Sequence, residues 1–369
     1  MNTRANILIL AAVLAAALIG GIFLWRAPQN TGTTNTVSTY ERLLKTNPDF
    51  ATAQGFAVAK DYTKAQSAYE AALRAAPDIA QEGQILSRLA GIKDSTGDHL
   101  GAIADWKKIA ADTRYALGIR AYAVQYMGTM RLKYFDPNIR AAITKEIFKD
   151  SPYSTMWVPN DTALSYRHLF EYASSLYPGA VSELMIADWY AGQLIVSSTT
   201  PEMSGYASII QNKLSSAEEG IARLEKVSFP PGISLVPISL TREAGVKAKL
   251  ARAGLSSPEV AEAAFKKAID AYVSYGYKPG DEGFARYHYA VYLSRLGASK
   301  ADDIETVLAP FSTDPAYGSS LAASYFKAGR TNLQGQKARL QILAQLDMDF
   351  KKFLTSLGWT SGDFVPAAK

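Results

Sequence analysis

Hydrophobic and polar positions divide the chain into three regimes. From Ala5 to Trp25 the residues are apolar and uncharged, interrupted only by Asn6 and the pair Gly20-Gly21. From residue 27 to 39 they are polar, uncharged and without periodicity. From residue 40 onward apolar residues return every three or four positions, the repeat of amphipathic helices. The spacing predicts helices over 161–176, 179–197, 204–226, 235–253, 257–275, 281–296, 300–309, 316–328 and 331–357. Asp161, Ser204 and Ser257-Pro258 mark starts, and Pro178-Gly179, Gly254, Gly276 and Gly297 mark stops. No strand signal is longer than Ile233 to Leu240, and Pro237 within it favours a helix start. The expected class is all-α.

The first regime has the length of a membrane span. Residues 5–25 rise about 30 Å as a helix, the thickness of a bilayer's hydrocarbon core. Trp25 and Arg26 close the run as interfacial residues. A cleaved signal peptide has a shorter apolar core and then a polar segment, where this chain has Ile22-Phe23-Leu24-Trp25. Residues 1–26 are therefore expected to be an uncleaved signal-anchor, a single transmembrane helix. Arg4 precedes it, and no Lys or Arg occurs from Ala27 to Tyr40. That charge bias keeps the N-terminus cytoplasmic and places the bulk of the chain outside the cytoplasm. Residues 27–39 read as a flexible tether.

Two segments of the third regime share a sparse pattern. Asp61-Tyr62 is followed by Ala65, Tyr69, Ala72-Leu73 and Pro77; Asp98-His99 is followed by Ala102, Trp106 and Ile109, 37 residues later. Small Ala65 and Ala102 let two helices approach, and the ring one turn on fills the gap beside them. The run Asp61-Tyr-Thr-Lys-Ala-Gln-Ser-Ala-Tyr-Glu-Ala-Ala-Leu-Arg-Ala-Ala-Pro77 resembles the second helix of a tetratricopeptide (TPR) repeat. The unit at 84–113 is similar, with Arg114 in place of the closing proline and a period longer than the family's usual about 34. A third unit has one helix over 115–133 and another opened by Asp136-Pro137, with Ile139, Ala142, Ile143 and Ile147 at helical spacing. Residues 40–150 are thus expected to be TPR-like repeats and 151–369 an α-helical repeat-like region. Within 257–275, Val260, Ala264, Ala268 and Ala271 are expected on one face, with Phe265 and Tyr272 beside it.

The resemblance implies a TPR-like helix-turn-helix α-solenoid that binds other proteins or peptides in a groove lined by the first helix of each repeat. Carried onto this chain, the groove positions are Phe50, Gln54, Ala57 and Val58, then Gln84, Ser87, Gly91, Asp94 and Ser95. The Lys and Asn that TPR domains use to clamp acidic C-terminal peptides are absent from these positions. A groove so small and neutral suits an apolar or backbone-dominated peptide, or else these residues line a solvated face that binds nothing. A second candidate is an aromatic surface at Tyr287, Tyr289 and Tyr292, weighed against interhelical core packing.

Composition narrows the chemistry. The chain has no cysteine, which removes disulfides, zinc–thiolate sites and cysteine nucleophiles. Its net charge of +5 is spread over 369 residues without a basic stripe, so nucleic acid is not the expected partner. His99 and His288 lack a second ligand at i+3 or i+4, and His99 occupies the turn position of Tyr62. Glu218-Glu219 and Asp302-Asp303 read as solvated or helix-start charges. Asn160-Asp161-Thr162 reads as a helix start rather than a glycosylation acceptor. No phosphate loop, nucleophile elbow or metal motif occurs, so no catalytic, cofactor or metal residues are expected. The leading expectation is a membrane-anchored, non-catalytic scaffold for protein–protein interaction at the extracytoplasmic face. The alternative is a helical-scaffold enzyme or glycan-binding module acting on cell-envelope polymer.

Overall fold

The computed structural model describes residues 39–76, 78–134, 137–196, 203–227, 234, 236–276, 279–313, 351, 355 and 359–364. The chain divides into residues 1–37 and 38–369, and all that follows concerns the second unit. The 5–25 span, nearly all of the tether, Pro77, the predicted helix at 316–328 and most of that at 331–357 lie outside the described residues. Thr39, which closes the tether by sequence, opens the first helix. Among the described residues no helix is long and apolar enough to cross a membrane.

The described residues are helical and contain no strand. In chain order the helices are α1 (Thr39–Thr46), α2 (Pro48–Val58), α3 (Tyr62–Arg74), α4 (Ile79–Ser95), α5 (His99–Ala111), α6 (Leu117–Lys133) and α7 (Pro137–Ile147). They continue with α8 (Thr162–Leu176), α9 (Ala180–Val196), α10 (Met203–Glu225), α11 (Val236–Arg252), α12 (Pro258–Ser274), α13 (Pro279–Ser294) and α14 (Ala301–Thr313). Pro237 sits in the first turn of α11, so the apolar stretch that might have made a strand starts a helix.

Local chemistry sets these ends. Asp61, Asp78, Asp98 and Asp161 each accept a hydrogen bond from the backbone N–H three residues on, at 3.3, 2.8, 3.0 and 2.8 Å. Asn47 caps α2 through Phe50 N at 3.0 Å, and its amide also donates to Ala72 O at 3.1 Å, tying α2 to the end of α3. Gly254 and Gly276 follow α11 and α12 with φ of +76° and +68°, a backbone that residues with a Cβ rarely adopt. Replacing Asp98 by alanine removes the α5 cap and is expected to cost about 1 kcal/mol, read as a lower thermal midpoint with unchanged helicity.

Packing is serial. The strong helix contacts join each helix to the next or next but one, with α1 also reaching α4. The core accordingly falls into four clusters in chain order, centred on α1–α4, α4–α8, α8–α12 and α11–α14. Trp359 and Phe364 join the last of them. Ala65 and Ala102 are wholly buried, and Tyr69 and Trp106 nearly so, at corresponding places in α3 and α5.

The expected face of α12 is corrected. Val260 is 45% exposed, whereas Ala261, Phe265, Ala268, Ile269 and Tyr272 are buried. A stripe holding two rings and an isoleucine removes more apolar surface from water than one of alanines, and the helix is turned accordingly.

Candidate functional site

The groove positions inferred from the sequence divide between core and surface. Phe50 is buried edge-on against Tyr40 and Tyr69, with ring centroids 5.7 Å from each. Gln54 is buried beside it; its side-chain oxygen accepts from the Tyr40 hydroxyl at 3.3 Å, and its amide donates to the Tyr69 hydroxyl. Ala57 is half-buried and Val58 is 41% exposed. On α4, Gln84 and Gly91 are half-buried, while Ser87 and Asp94 are buried. Ser87 offers its carbonyl to the Trp106 indole N–H at 3.4 Å, and among the described residues its hydroxyl has no hydrogen-bond partner.

Asp94 is committed within the protein. One of its oxygens accepts from the Tyr134 hydroxyl at 2.7 Å and faces His99 Nδ1 at 2.8 Å, with the His99 and Tyr134 rings 4.3 Å apart. This triad joins α4, the start of α5 and the residue after α6. His99, expected as packing, thus packs and bonds at once. Burial first, and then the Asp94 hydrogen bond, hold the Tyr134 phenol above its ordinary range.

The residue that organises the face of α4 escaped the sequence reading. Arg88 lies one turn from Gln84 and three residues before Gly91, so the groove spacing itself includes it. Its guanidinium carbon stands 5.1 Å from the Tyr40 ring centre and 5.9 Å from that of Tyr122. Tyr122 and Tyr126 share a hydroxyl contact of 2.5 Å, and Tyr126 stacks on Trp106 at 5.2 Å. No carboxylate pairs with Arg88, and its buried Nε has no hydrogen-bond partner among the described residues. Burial holds Tyr40, Tyr69 and Tyr122 above the phenol range, with the Arg88 charge pulling the other way. The rings therefore face Arg88 as neutral phenols, and among the described residues the guanidinium charge has no carboxylate paired with it. A Cβ added at Gly91 or Gly55 would meet nothing within 4 Å, so both positions border open space. Such an arrangement can hold an anionic or carbonyl-bearing group. It is poorly suited to proton transfer near neutrality, because its titrating groups are phenols displaced upward.

Raised phenols make stability fall in alkali. The Tyr115 hydroxyl donates to Glu82 at 2.8 Å, and burial and then that bond push its pKa up to about 12. A group raised on folding contributes fully below its unfolded value, near 10, and the contribution is lost as pH rises through the folded value. Denaturant titrations are expected to show unchanged stability from pH 7 to about 9 and a progressive loss between about 10 and 12.

The second candidate surface is corrected. Tyr287, Tyr289 and Tyr292 are all buried. Phe265 stacks against Tyr289 at 5.2 Å and Tyr292 at 5.9 Å, and the Tyr289 hydroxyl donates to Glu262 at 3.1 Å. These rings fill the space between α12 and α13, where alanines alone leave voids.

Elsewhere, His168 Nδ1 lies 3.2 Å from Met156 O, and His288 lies edge-on to Tyr287 at 5.2 Å. Glu218 pairs with Lys247 at 3.3 Å, and Asp302 and Asp303 open α14. Among the described residues no group of three or more acids and histidines is placed to hold a metal ion. Comparison with protein-family models, with curated proteins and with solved structures finds no match to this chain.

Proposed function

We propose that this chain is a TPR-like α-solenoid scaffold, anchored by residues 5–25, that binds other polypeptides at the extracytoplasmic face of the membrane and performs no covalent chemistry. The observation that carries the reading is Arg88, a cation without a carboxylate, framed by tyrosines on the α4 face where the resemblance puts the groove. A guanidinium so placed gains from a partner's carbonyl or carboxylate what it lacks within the chain. The serial core supports the solenoid, since stacked units contact their neighbours in the same way. The corresponding Ala65/Tyr69 and Ala102/Trp106 pairs support the TPR likeness. The groove is not neutral, as its sequence positions had implied, and a purely apolar ligand would leave Arg88 unsatisfied.

The test is crosslinking in intact cells followed by recovery of the full-length protein and identification of its partners. The comparison chains are Arg88→Gln and a chain lacking residues 40–150 but keeping anchor and tether. Partners lost from the deletion and depleted by Arg88→Gln are the expected result. The same set recovered with all three chains would overturn it. A reporter active only outside the cytoplasm, fused after Lys369, is expected to be active.

A further inference from the structure

A cleft that Arg88 does not line lies between the end of α6, the outer side of α7 and the segment leading into α8. Its volume is about 680 Å³, within the range of specific ligand sites. Arg131, Arg140, Lys145 and Lys149 line it together with Phe148 and Trp157. The sequence makes this face by helical spacing: Ile143 and Ile147 turn into the core, which leaves Lys145 on the outside of α7 and Lys149 just beyond its end.

Three of these cations, Arg131, Lys145 and Lys149, make no ion pair among the described residues. Lys145 and Lys149 are exposed and, among the described residues, make no ion pair. Arg131 is half-buried with its guanidinium 5.1 Å from the Tyr166 ring centre and, among the described residues, makes no ion pair. Arg140 spends its Nε hydrogen on the carbonyls of Arg131 and Tyr134, at 3.1 and 2.5 Å, which fixes the side chain at the edge of the cleft. Of the acids nearby, Asp150 turns to Lys107 at 3.4 Å, and Asp161 caps α8 while its charge also acts on Arg131. Trp157 remains 39% exposed, tilted on Phe148 with ring centroids 5.5 Å apart, and offers an apolar wall beside the cations.

From this juxtaposition we infer that the cleft docks an acidic polypeptide segment carrying an aromatic residue, its carboxylates on Arg131, Lys145 and Lys149 and its ring against Trp157. The inference rests on the scaffold reading above and names the chemistry of one partner. The cations are distributed along an open cleft, and carboxylates distributed along an extended chain match them better than one compact anion does. A flat ring wall adds affinity for a side-chain ring that neither a phosphate nor a lipid headgroup supplies.

The test uses the purified full-length protein in neutral detergent and a labelled synthetic peptide alternating Glu with Phe, followed by fluorescence anisotropy. Binding is expected to weaken with salt. The double variant Lys145→Glu/Lys149→Glu, changed at exposed positions that leave folding intact, is expected to weaken it by about a hundredfold, roughly tenfold for each cation. Trp157→Ala is expected to weaken it several-fold. Replacing Phe by Ala in the peptide should reproduce the Trp157→Ala loss. Wild-type affinity in the double variant overturns the assignment. So does equal affinity for the Ala peptide. Displacement of the peptide by equimolar pyrophosphate, an acidic oligosaccharide or phosphatidylglycerol vesicles overturns it in favour of a small-anion, glycan or membrane site respectively. The scaffold reading is judged separately. If cellular partners depend on residues 40–150 while the double variant retains peptide binding, this cleft's assignment fails and that reading stands.

Discussion

Replacing Trp106 by alanine is expected to destabilise the protein by about 3–5 kcal/mol, among the largest losses available to a single core substitution. The side chain is 1% exposed and lies within the second cluster, between α5, α4 and α6. It stacks on Tyr126, which in turn holds Tyr122 beside Arg88, and its indole N–H donates to Ser87 O. Alanine leaves a void among elements already fixed by Ala102, Ile103 and Met127, which cannot collapse without moving whole helices. Hydrogen exchange provides the sharper check. Because packing is serial, amides of α4–α8 should lose protection before those of α11–α14. A uniform loss along the chain would mean that the clusters fold as one unit.

Replacing Lys213 by methionine is expected to cost about as much, roughly 3–5 kcal/mol, by a different route. Glu183 is buried in α9, and its carboxylate meets Lys213 Nζ at 3.0 and 3.2 Å and also accepts from the Ser174 hydroxyl. Methionine keeps most of the apolar stem of Lys213 and deletes the charge, which leaves the carboxylate in the third cluster without its cation. The second substitution Glu183→Gln should restore much of the loss, since a neutral amide can still bond Ser174 and carries no charge to bury. Denaturant midpoints of the three variants measure both statements. Equal stability of Lys213→Met and the double variant would show that the pair is held by solvent rather than by the fold.

The ends of helices were legible wherever the signal is local. Asp161, read as a start, caps α8, and the predicted 161–176 becomes Thr162–Leu176. Ser257-Pro258 and Gly276 bracket α12, predicted as 257–275 and observed as Pro258–Ser274. Caps, prolines and left-handed glycines act within a few residues, so their meaning survives without knowledge of the rest of the chain. The 37-residue correspondence of Asp61 with Asp98 was visible for the same reason, and both residues cap helices.

What a helix turns toward its neighbours was legible in part. Tyr69, Trp106, Phe265 and Tyr272 were placed correctly beside small residues, yet Val260, expected on one face with Ala264, Ala268 and Ala271, is 45% exposed while Ala268 is buried. Spacing defines several apolar stripes on an alanine-rich helix, and which one is buried depends on the rings that other helices bring. Arg88 shows the same limit. Its place one turn from Gln84 is a fact of sequence, but its isolation from any acid is decided by Tyr40 and Tyr122, 48 and 34 residues away in the chain. Likewise, Lys145 and Lys149 look like ordinary solvated charges until α6 and the segment leading into α8 bring Arg131 and Trp157 to the same opening.

The sequence by itself determined that this region is helical, where most helices begin and end, and which small and large residues meet in α3 and α5. Those outcomes follow from backbone hydrogen bonding and side-chain size over one or two turns. The tertiary structure alone decided which charges remain without partners and which rings are covered. Burial and charge compensation are sums over neighbours distant in sequence, and no local window contains them.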